Sequence, residues 1–193
     1  MNLKEVLGTV AIFLTFVAFI PYITSTLSGK TKPHFFSWLI WGIATLVVFW
    51  AQMADGAGVG AWSIGLSGAL TLYIAFLAWQ KRSDQSATKL DWFFFIAAML
   101  SLPCWFFTHN PFWAVVILTT VDTLGFGPTF IKVYKKPYEE QLFLYVVMAF
   151  RNLVSIPALE HYSWTTLLFP AVLSATCVLF IVFVAVRRRA VIK

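Results

Sequence analysis

Charged residues are scarce in this chain: only 11% of its 193 residues are charged, and eight of these are Asp or Glu. Ordinary soluble domains carry about 25% charged residues, so the composition excludes a typical soluble globular domain. There are only two cysteines, Cys104 and Cys177, and both fall inside apolar runs, so no disulfide framework is expected. The glycine-rich stretch "DGAGVGAW" at 55–62 lacks the Lys-Ser/Thr of a phosphate-binding loop, and nothing else indicates ATP coupling.

Catalytic and metal-binding patterns are also missing. The three histidines, His34, His109 and His161, lie scattered at predicted helix ends without metal-ligand spacing, so no metal and no other cofactor is expected. The apolar runs contain no His/Glu cluster, no Ser-Lys pair and no pair of Asp residues at one depth. An intramembrane enzyme is therefore not predicted.

Apolar sequence is what the chain has in abundance, since 60% of its residues are hydrophobic. A helix that spans a bilayer needs roughly 20 mostly apolar residues. Seven runs of about this length lie at 6–28, 33–54, 57–80, 91–108, 110–134, 139–158 and 163–187. They lack the alternation of barrel strands, so we predict an all-α membrane protein with seven transmembrane helices joined by short turns.

The basic residues are distributed very unevenly between the two predicted sides. The side that holds the N-terminus carries Lys4 alone. The opposite side carries Lys30, Lys32, Lys81, Arg82, Lys89, Lys132, Lys135, Lys136, Arg187, Arg188, Arg189 and Lys193. Lys and Arg accumulate on the cytoplasmic side, so we predict a multi-pass protein of the cell membrane with its N-terminus outside and its C-terminus in the cytoplasm. The basic patch suits the lipid bilayer as a partner, and a nucleic-acid partner is not expected.

The two ends of the chain resemble each other. A shift of 107 residues places 14–82 on 121–189 without a gap, with Pro21 on Pro128 and "LSGALTLYIAFLAWQKR" on "LSATCVLFIVFVAVRRR". The constant offset predicts two three-helix bundles, residues 1–82 and 110–193, joined by a linker helix within 83–109. A spacer of one helix gives both bundles the same orientation, as in transporters with parallel repeats.

Pro21 and Pro128 both lie well inside their predicted helices. Proline removes one backbone hydrogen bond and weakens a helix locally. Two interpretations remain open. The prolines are either hinges that let the basic ends of the helices swing, or static kinks that improve packing.

Two opposite charges fall in the middle of predicted helices 5 and 6. Asp122 and Arg151 are equally far from the turn between these helices, so an antiparallel pair holds them at one depth. An isolated charge at the bilayer centre costs on the order of 3 kcal/mol or more. The offset places Thr15 and Ala44 at the matching positions of the first half, so the scaffold does not require the charges. Either Asp122 binds a proton or a cationic group of the substrate, with Arg151 tuning it, or the two form a permanent ion pair.

Polar residues near these charges extend the candidate site. Thr119, Asp122, Phe126 and Thr129 follow a helical spacing on helix 5. Asn152 and Ser155 lie on helix 6, and Thr45 is the offset partner of Asn152 on helix 2. They either line a cavity or hydrogen-bond to neighbouring helices.

The stretch "PTFIKVYKKPYEE" at 128–140, the 3+1+3 helix plan, the outside N-terminus and the prolines in helices 1 and 5 together resemble the SWEET and PQ-loop transporters. PnuC-like vitamin carriers share the same helix plan. The resemblance implies an alternating-access transporter or facilitator of a small polar solute, such as a sugar or a vitamin. It also implies a binding role for Trp50, which falls where SWEET proteins carry a pocket Trp. The Pro-Gln pair is absent, and the sugar-binding Asn positions fall near Ser63 and Pro170.

A seven-helix receptor or sensor is the alternative function. A retinal version is excluded because no Lys lies between Lys136 and Lys193 to form a Schiff base. A receptor without a pigment stays open. A small-molecule substrate is the predicted partner besides lipid, and the sequence leaves a homo-oligomer open.

Overall fold

The structure, a computed structural model, describes residues 2–30, 33, 35–81, 89–126, 130, 133–134, 137 and 142–191, without the side chains of 90 and 91. All regular structure within these ranges is helical, which confirms the predicted all-helical class for this part of the chain. Pro128 and Thr129, a predicted hinge and a predicted binding residue, lie outside the described residues.

The helices follow the predicted apolar runs closely. They are α1 (Leu3–Leu27), α2 (Phe35–Ala54), a short 3-10 helix (Gly58–Ala61), α3 (Trp62–Gln80), α4 (Lys89–Thr108), α5 (Pro111–Gly125), α6 (Leu142–Ser155) and α7 (Trp164–Val191). Four segments are long and apolar enough to cross a membrane: Leu3–Leu27, Phe35–Ala54, Gly58–Gln80 and Trp164–Val191. The other three helices are apolar but shorter over the residues described, so seven spans remain a prediction.

Helix α5, which carries Asp122, has a well-defined start. The Asn110 side-chain oxygen accepts the Phe112 backbone N–H at 2.9 Å, and Pro111 occupies the first turn. The helix ends at Gly125, and within the rest of the predicted run to 134 the described residues Phe130, Val133 and Tyr134 are helical again. Gly125 is a poor helix former, which suits a helix end at this position.

The helices pack in two groups of three with contacts between the groups. In the first group, α3 packs against both α1 and α2, and in the second, α7 packs against both α5 and α6. Between the groups, α1 packs against α6, and α2 packs against α5. Helix α4 packs against α5 and α2. The largest core cluster draws on α2, α5 and α7, with Ile64 of α3 and Ala98 of α4 at its edge.

The two ends of the bundle differ in chemistry. The N-terminal end is formed by the start of α1, residues 55–61 and residues 156–163, where the Glu160 backbone N–H donates to the Ala57 carbonyl at 3.0 Å. The opposite end, here called the basic end, holds Lys81, whose Nζ donates to the Leu27 carbonyl at 2.7 Å. A cation at a helix C-terminus satisfies a free carbonyl and opposes the negative end of the helix dipole.

Candidate functional site

A cavity of about 450 Å³ lies between the two groups of helices. Its wall comprises residues from α1, α2, α3, α5, α6 and α7, together with Phe126 just after α5, and none of the described residues of α4. The lining residues are Phe19, Tyr22, Ser37, Trp38, Trp41, Thr45, Ser67, Thr71, Asp122, Gly125, Phe126, Leu144, Tyr145, Met148, Arg151, Phe169, Leu173 and Cys177.

The cavity occupies the half of the bundle nearer the basic end. Helix α1 lines it through Phe19 and Tyr22, which lie in the second half of that helix. Helix α6 lines it from Leu144, the third residue of the helix, onward. The cavity therefore extends to within two helical turns of the basic end.

The N-terminal end is closed by close packing. Ala57, Ala61 and Leu159 are completely buried there, and side chains of α2 and α7 pack against them. Gly60 lies so near Leu159 that an added Cβ would be 2.7 Å from the Leu159 backbone nitrogen. Only a residue without a side chain allows the two loops to approach this closely.

Polar contacts join the same two loops. The Ser163 hydroxyl donates to the Asp55 carboxylate, and His161 Nδ1 lies 2.9 Å from the Asp55 carbonyl oxygen. Gln52 Nε2, on α2, donates to the Thr166 carbonyl of α7 at 2.9 Å. These bonds, together with the apolar packing, hold the two groups of helices together at the N-terminal end.

Asp122 faces the cavity and has no hydrogen-bond or ion-pair partner among the residues that the structure describes. Its side chain is only 9% exposed. The hydroxyls of Thr45 and Ser67, which also line the cavity, form no hydrogen bond within the described part of the chain either. A buried polar group without a hydrogen-bond partner destabilises the folded protein, so this lining is suited to bind water or a polar solute.

Arg151 lies in the same wall, but its terminal nitrogens bond to groups other than Asp122. It is completely buried, and its Nη1 and Nη2 donate to the Ser63 carbonyl at 3.1 Å and to Asn152 Oδ1 at 2.7 Å. Ser63 belongs to the first turn of α3, toward the N-terminal end. The two opposite charges therefore share one cavity without a direct ion pair in the residues described.

The other predicted polar residues lie behind the cavity wall. Asn152 holds Arg151, and the Ser155 hydroxyl donates to the Asn152 carbonyl at 2.8 Å. Thr119 is buried in α5 and is not part of the lining. Pro21 lies inside α1, between two cavity-lining aromatic residues, and α1 continues through it.

Trp50 lies on the outside of the bundle, with 61% of its surface exposed. It is nine residues from Trp41, and at about 100° per residue the two fall on opposite faces of α2. Trp41 and Trp38 line the cavity, whereas Trp50 does not. The spacing of the tryptophans along α2 is the signal in the sequence that could have shown that Trp50 and Trp41 lie on different faces of the helix.

Aromatic rings flank the cavity on both sides. Tyr22 and Trp38 lie on one wall with ring centroids 4.7 Å apart, and Phe126 and Tyr145 lie on the other with centroids 6.0 Å apart. Sequence reasoning missed most of these rings, although the 107-residue offset relates several of them. Four offset pairs line the cavity with both members: Phe19 and Phe126, Ser37 and Leu144, Trp38 and Tyr145, and Trp41 and Met148.

Comparison of the chain with protein-family models, curated proteins and solved structures gives no match. The resemblance to SWEET and PQ-loop transporters therefore stays an expectation from the quoted motifs. Function is inferred below from the cavity and its side chains.

Proposed function

We propose that this protein is an alternating-access transporter or facilitator of a small polar solute that binds in the cavity. The observation that carries the proposal is a buried carboxylate, Asp122, that has no hydrogen bond or ion pair within the described residues and faces a cavity of about 450 Å³ among apolar helices. Small-molecule sites commonly have volumes of about 300–1,000 Å³. An ionisable side chain within a membrane-spanning bundle is costly, and such residues commonly mark a substrate or ion pathway.

The helix contacts support two matched halves. In the proposed repeat, α1, α2 and α3 correspond to α5, α6 and α7. The contacts of α3 with α1 and α2 then correspond to contacts of α7 with α5 and α6, and all four of these contacts occur. The same correspondence relates the α1–α6 contact to the α5–α2 contact, which also occurs. Two bundles related by an axis through the cavity give this pattern, as in carriers built from parallel repeats. The four offset pairs in the lining agree with such an axis.

The two halves are matched in shape but not in charge. The offset partners of Asp122 and Arg151 are Thr15 and Ala44, and both are buried in the first half. Among the described lining residues, both charged side chains, Asp122 and Arg151, come from the second half. This asymmetry favours a role for Asp122 in binding over a role in holding the scaffold together.

The closed N-terminal end and the cavity near the basic end suit one state of a carrier cycle. With the orientation expected from the basic residues, the cavity lies toward the cytoplasm. Transport then requires the loops at 55–61 and 156–163 to separate while the basic ends approach each other. Pro21, between cavity-lining Phe19 and Tyr22, is a candidate hinge for that movement.

The test begins with purified protein in detergent and a thermal-shift screen of sugars, B vitamins, nucleosides, amino acids and small amines. A ligand at about 100 times its Kd adds roughly 2.7 kcal/mol to the free energy of unfolding. Each stabilising compound is then radiolabelled and offered to proteoliposomes that contain the protein. We expect uptake above that of empty liposomes for at least one of them.

Asp122→Asn is the decisive variant. It should reduce uptake to the level of empty liposomes while the melting temperature stays near that of the wild type. Glu5→Gln, which neutralises an exposed carboxylate at the start of α1 and keeps the side-chain oxygen that accepts the Asn2 N–H, is the matched control and should transport normally. Normal uptake by Asp122→Asn would remove Asp122 from the mechanism. Ligand binding without uptake of any compound would favour a receptor.

A further inference from the structure

We infer that the solute is a small organic cation, whose ammonium group pairs with Asp122 and whose apolar body lies against the aromatic walls. The inference rests on the proposed function in one respect, namely that the cavity is the solute site. It adds the chemical class of the solute.

Asp122 provides the anionic half of this pairing. Its carboxylate is 9% exposed and has no hydrogen-bond donor or cation in contact among the described residues. An ammonium group forms short, charge-assisted hydrogen bonds to a carboxylate. It carries three donors, and the hydroxyl oxygens of Thr45 and Ser67 in the same lining are acceptors for the others.

The burial of Arg151 disfavours an anionic or zwitterionic solute, because the guanidinium group is not accessible to a carboxylate in the cavity. Among the described lining residues Arg151 is the one basic side chain, and it is completely covered by protein. Its two terminal nitrogens already donate to the Ser63 carbonyl and to Asn152. A carboxylate on the solute therefore meets no accessible cation among the described cavity residues, whereas an ammonium group meets Asp122.

The aromatic walls define the rest of the solute. Tyr22, Trp38 and Trp41 come from the first half, and Phe126 and Tyr145 come from the second. Ring faces attract cations and also pack against flat apolar groups. A compact amine with an aromatic or similarly flat body suits both features of the cavity.

The experiment compares tryptamine with tryptophol, which share an indole ring and a two-carbon arm but end in an ammonium group and a hydroxyl group, respectively. Binding is measured by isothermal titration on the purified wild-type protein at neutral pH. We expect tryptamine to bind about tenfold tighter or more, the ratio that a charge-assisted hydrogen bond provides. Tryptophan, which adds a carboxylate to tryptamine, should bind no tighter than tryptamine.

Variants then assign the preference to the carboxylate. Asp122→Asn should bring tryptamine and tryptophol to within about twofold of each other, and Asp122→Glu should restore part of the preference. Equal affinity of the wild type for tryptamine and tryptophol would overturn the inference without any variant. Tighter binding of tryptophan than of tryptamine would also overturn it, because Arg151 would then be accessible. Failure of all three probes to bind would overturn it as well.

The carrier and the cation site fail in different ways. Titration in detergent needs no transport, so tight tryptamine binding without uptake into proteoliposomes would overturn the carrier and leave the cation site standing. Uptake of a neutral solute, with no preference for amines in the titration, would overturn the cation site and leave the carrier standing.

Discussion

Gly60→Ala should push apart the two loops at the N-terminal end of the bundle and measurably lower the free energy of unfolding. The added Cβ would lie 2.7 Å from the Leu159 backbone nitrogen and 2.8 Å from the Leu159 Cα. Both atoms belong to the backbone, so a rotamer change cannot relieve the clash. Leu159 is also completely buried, and its N–H donates to the Ile156 carbonyl at 3.1 Å. The loop at 156–160 must therefore shift as a unit.

Overpacking of this kind typically costs about 1–3 kcal/mol of the free energy of unfolding. For a chain of this length, each kcal/mol lowers the melting temperature by roughly 2–4 °C. We therefore expect Gly60→Ala to melt several degrees below the wild type in a thermal-shift assay on detergent-purified protein.

Gly8→Ala is the matched control at the same end of the molecule. Its added Cβ would meet the Val59 carbonyl oxygen at 3.1 Å, a milder contact than that at Gly60. In the interior of α1, replacing glycine by alanine gains about 1 kcal/mol of helix propensity. Its melting temperature should stay near that of the wild type. If Gly60→Ala melts like the wild type, the loops separate easily and the close packing of this end is refuted.

Two further predictions concern the cavity and the start of α5. The first uses a protein in which the native Cys104 and Cys177 are replaced. A membrane-impermeant thiol reagent should modify Thr45→Cys faster from the basic end than from the N-terminal end, and it should not modify the fully buried Thr15→Cys. Faster modification from the N-terminal end would contradict the closure of that end. Asn110→Ala removes the N-cap of α5 and should cost about 1 kcal/mol in thermal unfolding, whereas Asn110→Asp keeps the acceptor and should melt like the wild type; equal melting of the two variants would contradict the cap.

The sequence by itself predicted the all-helical class and the approximate position of each helix that the structure describes. The length of an apolar run can be compared with the thickness of a bilayer without knowing the fold. Composition and spacing were therefore sufficient to predict where the helices lie. Local chemistry also marks some helix ends, such as the Asn110-Pro111 start of α5. The offset of 107 residues pointed in advance to pairs such as Phe19 and Phe126, both of which line the cavity.

Only the tertiary structure decided which side chains meet. Arg151 donates to the carbonyl of Ser63, 88 residues away, rather than to Asp122, which the sequence predicts at the same depth. Spacing puts Trp41 and Trp50 on opposite faces of α2, but only the packing shows that Trp41 faces the cavity and Trp50 faces outward. Such outcomes depend on how far each helix is rotated about its axis. Helices that are apolar on all sides carry little record of that rotation in their sequence, so the packing of their neighbours sets it.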